Sequence, residues 1–500
     1  MRTRRLIGVL ALGLGATVAL LWLLAGQSHT VQAVSSVRYV SATGSDGGLN
    51  PCIVAATPCR TVQRAVDVAA AGDEIRVAEG VFTDTAGSVA VITKTVTLLG
   101  GWDNGFAVCD PVAHLTVLDA GGNGRVVEIY GPVSPTVEGF TITGGNANSE
   151  TRGDGRGGGI YSENAGPTIR HNILISNVGS ITPNLGCGGG IFMSYAPASA
   201  IVEDNQVLSN TAGAGGQGVG GGLCLMYSDA TISDNLIRGN TATRTGGGVY
   251  VFHGAPRLLG NEIRANAADN NGGGVMLSGS DALVQGNLII DNHAGSSWYG
   301  GGLLVELGSP TITANRIFSN TASNSAGLGL ETGGCFTVTN NVIAYNSNGG
   351  IRLWELTRYG LIAHNTIAYN GGEGGICMYY GSITPTIVNN IVVSNTYGIY
   401  AHTSASGTLD YNDVWGNATN YYLPGALEPG SHDIQADPLF VNPAQNDYHL
   451  REGSPCVDAG MNAVAAVDMD GDLRPIGLLP DLGADERRLY VYLPLVSRDY

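Results

Sequence analysis

The feature that most constrains the fold of this chain is a short pattern, N-x-(I/V/L)-x-x-N, that recurs along it. Its first asparagine falls at Asn172, Asn205, Asn235, Asn261, Asn287, Asn315, Asn341, Asn365, Asn390 and Asn412, about 27 residues apart on average. The second follows five residues later each time, from Asn177 through Asn266 to Asn417. A fixed offset inside a variable period means a fixed strand and corner, with insertions confined to other corners. The unit is clearest from Gly246 to Asn266, GGGVYVFHGAPRLLGNEIRAN: glycines, an alternation of valines with aromatics, a turn, a second short strand and the two asparagines. One copy is too short to bury its own apolar face, so the copies must stack.

Three short strands per coil, each pairing with its counterpart in the coils above and below, is the logic of an all-β, right-handed parallel β-helix. The 76 glycines and the 13% of charged residues suit many short strands and tight turns. Leucine-rich repeats need an L-x-x-L-x-L frame that is absent here, and hexapeptide β-helices need a strict short period. Inward-facing asparagines at a corner satisfy local backbone groups and bond to the equivalent residue one coil away, a structural ladder at about 1 kcal/mol net per bond. The glycine runs at Gly157, Gly188, Gly220, Gly246, Gly272 and Gly300 leave two readings open: positive φ at a corner, or one flank of the strand kept bare. Thr61 to Ala71 carries apolar residues at helical spacing and is expected to cap the open end of the core.

The chain begins with Arg2, Arg4 and Arg5, an apolar run from Leu6 to Gly26, and Val31-Gln32-Ala33, which predicts a signal peptide over 1–33 cleaved after Ala33. The alternative is an uncleaved membrane anchor, the one route to a membrane the sequence offers. The expected organisation is then an N-terminal cap with irregular coils over 34–110, the β-helix over 111–423, a C-terminal region over 424–488 and an apolar tail over 489–500. Export places the protein outside the cytosol, at the cell surface or beyond, where disulfides persist. Cys52 and Cys59 are the expected pair, closing a small ring. For most of Cys109, Cys187, Cys224, Cys335, Cys377 and Cys456, buried free thiols are expected. A formal charge of −17, with one lysine, argues against nucleic acid and favours a neutral or cation-bridged ligand.

The segments RYVSATGSDGG and TPCRTVQRAVDVAAAGDEIRVAEGVF, the run GFTITGG and the asparagine coils resemble the pectate-lyase-like right-handed β-helix superfamily over most of residues 37–423. Asp437 to Glu486, with DPLFVNPAQNDYHL, GSPCVDAG, DMDGDLRP and DLGADE, resembles the choice-of-anchor Q type of C-terminal domain on exported β-helix proteins. The first resemblance implies that carbohydrate lies along the sheet formed by the strands after the glycines. It does not imply a reaction, because the fold hosts lyases, hydrolases, epimerases and adhesins.

Alternation along those strands predicts which residues face outward. A first outward row contains Tyr161, Phe192, Tyr250, Glu331, Arg352 and Tyr400, and a second contains Phe252, Glu306, Trp354 and Tyr379. These aromatics, with Trp298 and Tyr299 at a rim, are the expected carbohydrate platform; the alternative is that loops fold over the sheet and bury them. The loops entering the strand shorten from ten residues in the first coils to two or three in the last, so a groove would be walled at its N-terminal end and open at the other. Glu306, Glu331 and Arg352, on successive coils, are the candidate catalytic cluster of a polysaccharide lyase or glycoside hydrolase. The competing function is a non-catalytic surface or adhesion rod. No cofactor is required by any of this, and calcium is the one ion suggested: Asp468, Asp470 and Asp472 alternate around a glycine turn, where the other reading has their carboxylates capping local backbone or pairing with Arg474.

Overall fold

A computed structural model describes residues 36–488 apart from 84–86, 149–153, 181–185, 214–215, 296–298, 332–333, 355–358, 381–383 and 462–463. The expected signal peptide and apolar tail lie outside these residues, as does Trp298.

The chain winds as a right-handed parallel β-helix. Sheet 1 holds the strands that follow the glycines, 13 described strands from Ala90–Ile92 to Thr419–Tyr422. Sheet 2 holds 14, from Val37–Val40 to Thr408–Asp410, and sheet 3 holds 13, from Gly80–Thr83 to Asp413–Trp415. The inward row is solid hydrocarbon: within the 246–266 unit Val249, Val251, Leu258 and Ile263 are all 0% exposed, each burial stabilising by about 1.5–3 kcal/mol. At the N-terminal end the helix Val62–Val68 lays Val62, Ala65 and Val66 against that core, and Thr61 caps it by accepting a hydrogen bond from the Arg64 amide at 3.2 Å. It stops short of the expected Ala71 because Ala69 is already extended.

Both asparagines of the repeat follow a residue in the left-handed region. Asp234 and Ala265 (φ 55° and 50°) precede Asn235 and Asn266. That single left-handed residue turns the chain and strands the carbonyls around it, and the asparagine amide recovers them. Asn235 Nδ2 donates to its own coil at Ser233 O (2.8 Å), to the preceding coil at Val202 O (2.8 Å) and to Asn261 Oδ1 in the next (3.0 Å). The ladders run unbroken from Asn172 to Asn412 and from Asn177 to Asn417, and end on Asp433 and Asn420. The glycine runs resolve as a division of labour. Gly246 has φ +69°, whereas a Cβ on Gly247 would meet Ala267 O and Gly273 O at 2.4 Å; the first glycine turns the chain and the next lets coils approach.

Two features go beyond three strands per coil. Among the described residues five coils carry a fourth short strand after the second asparagine, from Val178–Ser180 to His293–Ala294, which pair into a small sheet of their own. The C-terminal region folds back over sheet 3, where Phe440, Tyr448, Leu450, Leu482 and Ala484 cover the outward Phe318, Val342, Ala368 and Ile391. Its hairpin pairs Phe440–Asn442 with Asp447–Leu450 in antiparallel fashion.

Candidate functional site

The outward face of sheet 1 divides along its length. Its first outward row lies at the start of each strand, beside the entering loops, and it is buried from Glu128 to Cys377 except at Tyr250. Tyr161 and Phe192, expected on the platform, are 5% and 0% exposed. They join Cys187, Val219 and Cys224 in a second apolar cluster outside the main core, so neither ring is available to a ligand. The cover is the stack of entering loops, in which Arg156, Cys187, Val219 and Thr245 bridge in parallel from coil to coil. A Cys187–Cys224 disulfide fastens this cover to the sheet. The Cys52–Cys59 bond forms as expected, but the expectation of buried free thiols fails at four of the other six cysteines. Cys187 and Cys224 are bonded to each other, and Cys109 and Cys335 are free but exposed; Cys377 and Cys456 are buried and free. Charge is buried here too: the Arg125 side chain, fully enclosed, packs over Tyr161 at 4.5 Å and pairs with Glu128 and Asp154.

Midway, Tyr250 and Phe252 are half-buried. Strand register places Glu306 level with Glu331, and Glu331 level with Trp354. Glu331 therefore belongs to the second outward row, not the first: Leu328, immediately after Gly327, is the first inward residue of its strand, and Gly329 occupies the position expected for the glutamate. Burial raises the pKa of Glu306, opposed by Arg244 and by a hydrogen bond from Asn271. Neither Arg244 nor Asn271 was expected at this site; both lie in entering loops, where period-2 alternation says nothing.

At the C-terminal end the covering loops shorten and the rings come to the surface. Arg352 does not join the two glutamates. Its guanidinium is buried, pairs with Glu373 at 2.6 Å, and lies over Tyr299 (4.8 Å), Trp354 (4.5 Å) and Tyr379 (4.4 Å). Burial raises the pKa of Glu373 in spite of Arg352. The pair holds the rings rather than facing a ligand. Tyr299 reaches Trp354 two coils on (6.2 Å), and from there the aromatics continue coil by coil: Trp354 to Tyr379 (5.8 Å), Tyr379 to Tyr400 (5.3 Å) and Tyr400 to Tyr422 (5.1 Å). Tyr380, 52% exposed, stands against Trp354 and His402. Glu373, Tyr380 and Tyr422 were not anticipated; the sequence signal was the loop GGEGG, which sets a carboxylate one coil from a buried arginine.

The three aspartates of the C-terminal turn do not converge. Asp468 is buried, and its carboxylate accepts the amides of Asp470 (2.9 Å), Asp472 (2.8 Å) and Glu486 (2.9 Å). Asp472 pairs with Arg488, Arg474 pairs with Glu486 at 3.0 Å, and Asp470 meets His449 at 2.7 Å.

A family model described as the right handed beta helix region matches residues 120–289, 219–322 and 285–423. The chain belongs to this family. Solved structures similar to this β-helix protein include pectate lyase Pel9A (14% identity, TM-score 0.36, covering 91% of this chain and 98% of that one). The periplasmic alginate epimerase AlgG is similar at 13% identity and TM-score 0.39, over 67% and 77% of the two chains. A PL6 family alginate lyase, AlyGC, is similar at 14% identity and TM-score 0.42, over 75% of this chain and 52% of that one. At these levels nothing about chemistry is carried across. No curated protein matches the chain in sequence.

Proposed function

We propose that this β-helix binds an extended, neutral polysaccharide along the C-terminal half of sheet 1. The observation that carries the reading is the run of rings from Trp354 to Tyr422, one coil after another and headed by Tyr299, with partly exposed faces and a spacing close to the repeat of a sugar in an extended chain. Trp354, Tyr379, Tyr380, Tyr400 and Tyr422 form its centre, with Phe252 and Tyr250 at the far end. A neutral glycan fits because Arg352 is already neutralised by Glu373 and the chain as a whole carries −17. Glu306 and Glu331, level with each other and next to Trp354, are where hydrolytic chemistry belongs on this face: a carboxyl whose pKa burial raises, beside a second carboxyl, is the pairing glycoside hydrolysis uses.

Export is part of the same proposal. It rests on the N-terminal charge and apolar pattern and is supported by two disulfides, bonds that persist in oxidising compartments. Among the described residues no helix is long and apolar enough to cross a membrane. Mass spectrometry of the secreted protein should show a mature N-terminus at Val34.

The test is a panel of neutral glycans and polyuronates offered to purified protein. Binding to a neutral glycan, lost by at least tenfold in Trp354→Ala with Tyr400→Ala, supports the reading. Absence of binding across the panel would sink it and leave the adhesion rod. Any turnover that survives Glu306→Gln with Glu331→Gln would remove the carboxyl roles.

A further inference from the structure

The C-terminal region builds a second site on a different face of the solenoid. Strand Asp447–Leu450 buries Tyr448 and Leu450 and turns Asp447 and His449 outward. The Asp468-capped turn directs Asp470 at the imidazole, with Asp470 Oδ2 2.7 Å from His449 Nε2. Asp485 arrives from the segment that follows. The donor atoms of His449, Asp470 and Asp485 all lie within 4.8 Å of one another, at the wall of a cleft of about 520 Å³ that carries five carboxylates to two arginines.

Two further observations distinguish this group from a solvated acidic patch. Asp485 is only 4% exposed; one carboxylate oxygen accepts the Leu450 amide at 2.7 Å and the other takes no hydrogen bond from a described residue. Asp485 lines the cleft, and a carboxylate oxygen without a hydrogen bond there, beside a second carboxylate, is what a bound cation satisfies. His449 Nδ1 in turn sits 2.5 Å from Asp447 Oδ1. With Nδ1–H donated to that carboxylate, loss of the proton shared by Nε2 and Asp470 leaves the Nε2 lone pair for a ligand bond, the carboxylate–histidine–metal relay of metalloproteins.

We propose that His449, Asp470 and Asp485 bind a divalent first-row transition cation, zinc in the first instance, with Asp447 as the partner that orients the histidine. An imidazole with two carboxylates suits zinc, manganese or cobalt, whereas calcium takes oxygen ligands throughout. The ion displaces the proton of the His449–Asp470 hydrogen bond to solvent, and the donor atoms draw in to about 2.0–2.2 Å from it. It joins the hairpin to the acidic turn and so clips the C-terminal region over sheet 3. The aspartate triplet read from the sequence thus supplies one ligand, Asp470, while Asp468 shapes the turn.

The experiment is titration of chelator-treated full-length protein with Zn²⁺ by calorimetry, and with Co²⁺ by visible absorption. The expected result is one Zn²⁺ per chain, a cobalt absorption band that zinc abolishes, and a raised melting temperature with saturating zinc. His449→Ala and Asp485→Asn should each weaken zinc binding at least tenfold, and Asp447→Asn should weaken it less while leaving the site intact. Glu452→Gln, on the cleft wall, should leave affinity within about threefold, a control for folding together with unchanged circular dichroism. Three outcomes overturn the proposal: no stoichiometric binding of either metal, zinc affinity unaltered in His449→Ala, or calcium binding that survives His449→Ala and exceeds that of zinc. Glycan binding does not enter any of these readouts, so failure here leaves the proposed polysaccharide face standing.

Discussion

The two halves of the outward face of sheet 1 are built from the same repeat and differ in what lies over them. Tyr161 and Phe192 stack at 5.1 Å inside a sealed cluster, while Tyr400 and Tyr422 stack at the same separation at the surface. Identical strand patterns thus yield a second core in one half and a surface platform in the other. The difference is the length of the loop entering each strand and one disulfide that pins it. In a solenoid the inward face is dictated coil by coil, whereas the outward face is whatever the insertions leave uncovered.

The comparison can be broken most severely where a ring is sealed. Phe192→Ala should cost about 3–5 kcal/mol, read as a lowered denaturant midpoint, and leave glycan affinity unchanged; Tyr422→Ala, at the surface, should do the reverse. An equal stability loss from the two would erase the distinction. Next is the pair beneath the platform. Arg352→Met strands Glu373 in a buried position and should destabilise by about 3–5 kcal/mol, and glycan affinity should fall although Arg352 touches no ligand. Removing both charges, Arg352→Met with Glu373→Gln, should recover much of the stability. Opening the cover comes third: Cys187→Ser with Cys224→Ser should cost about 2–4 kcal/mol and increase protease cleavage in the loops over the N-terminal coils, while cleavage of the C-terminal coils stays as before.

The smallest effect is a pH dependence at the boundary between the halves. Burial raises the folded-state pKa of Glu306 above its ordinary 4.5, so the folded protein holds that proton more tightly than the unfolded chain. Its contribution is therefore favourable at and below pH 4.5 and is lost as pH rises through the folded pKa. Wild type should lose stability relative to Glu306→Gln as pH increases above 4.5, and the two should keep a constant difference at lower pH. The opposite slope would mean that Arg244 and Asn271 outweigh desolvation.

Much of this was legible in the residues. The coil count, the ladder and the N-terminal cap follow from Asn172 to Asn417 and from Thr61 to Ala71, because stacking makes a local pattern do long-range work. The alternation in VYVF correctly set Val249 and Val251 inward. The same alternation slipped by two residues at GLGLE, where an inward leucine stands on each side of Gly329, and so misplaced Glu331. It gave no information on Glu373, which reaches Arg352 from a loop 21 residues on, nor on Cys187–Cys224, whose partners are separated by 37 residues and meet only when the loop folds across the sheet. The aspartate triplet was visible, but the histidine that takes Asp470 away from it comes from a strand that packs there only after the C-terminal region has folded back.

What the sequence determined by itself was the solenoid: a period, an inward row and two asparagine ladders, each enforced by contacts between equivalent residues in adjacent coils. Only the tertiary structure decided which outward rings are surface and which are core. That choice depends on segments with no period, and their burial is set by where they land rather than by what they contain.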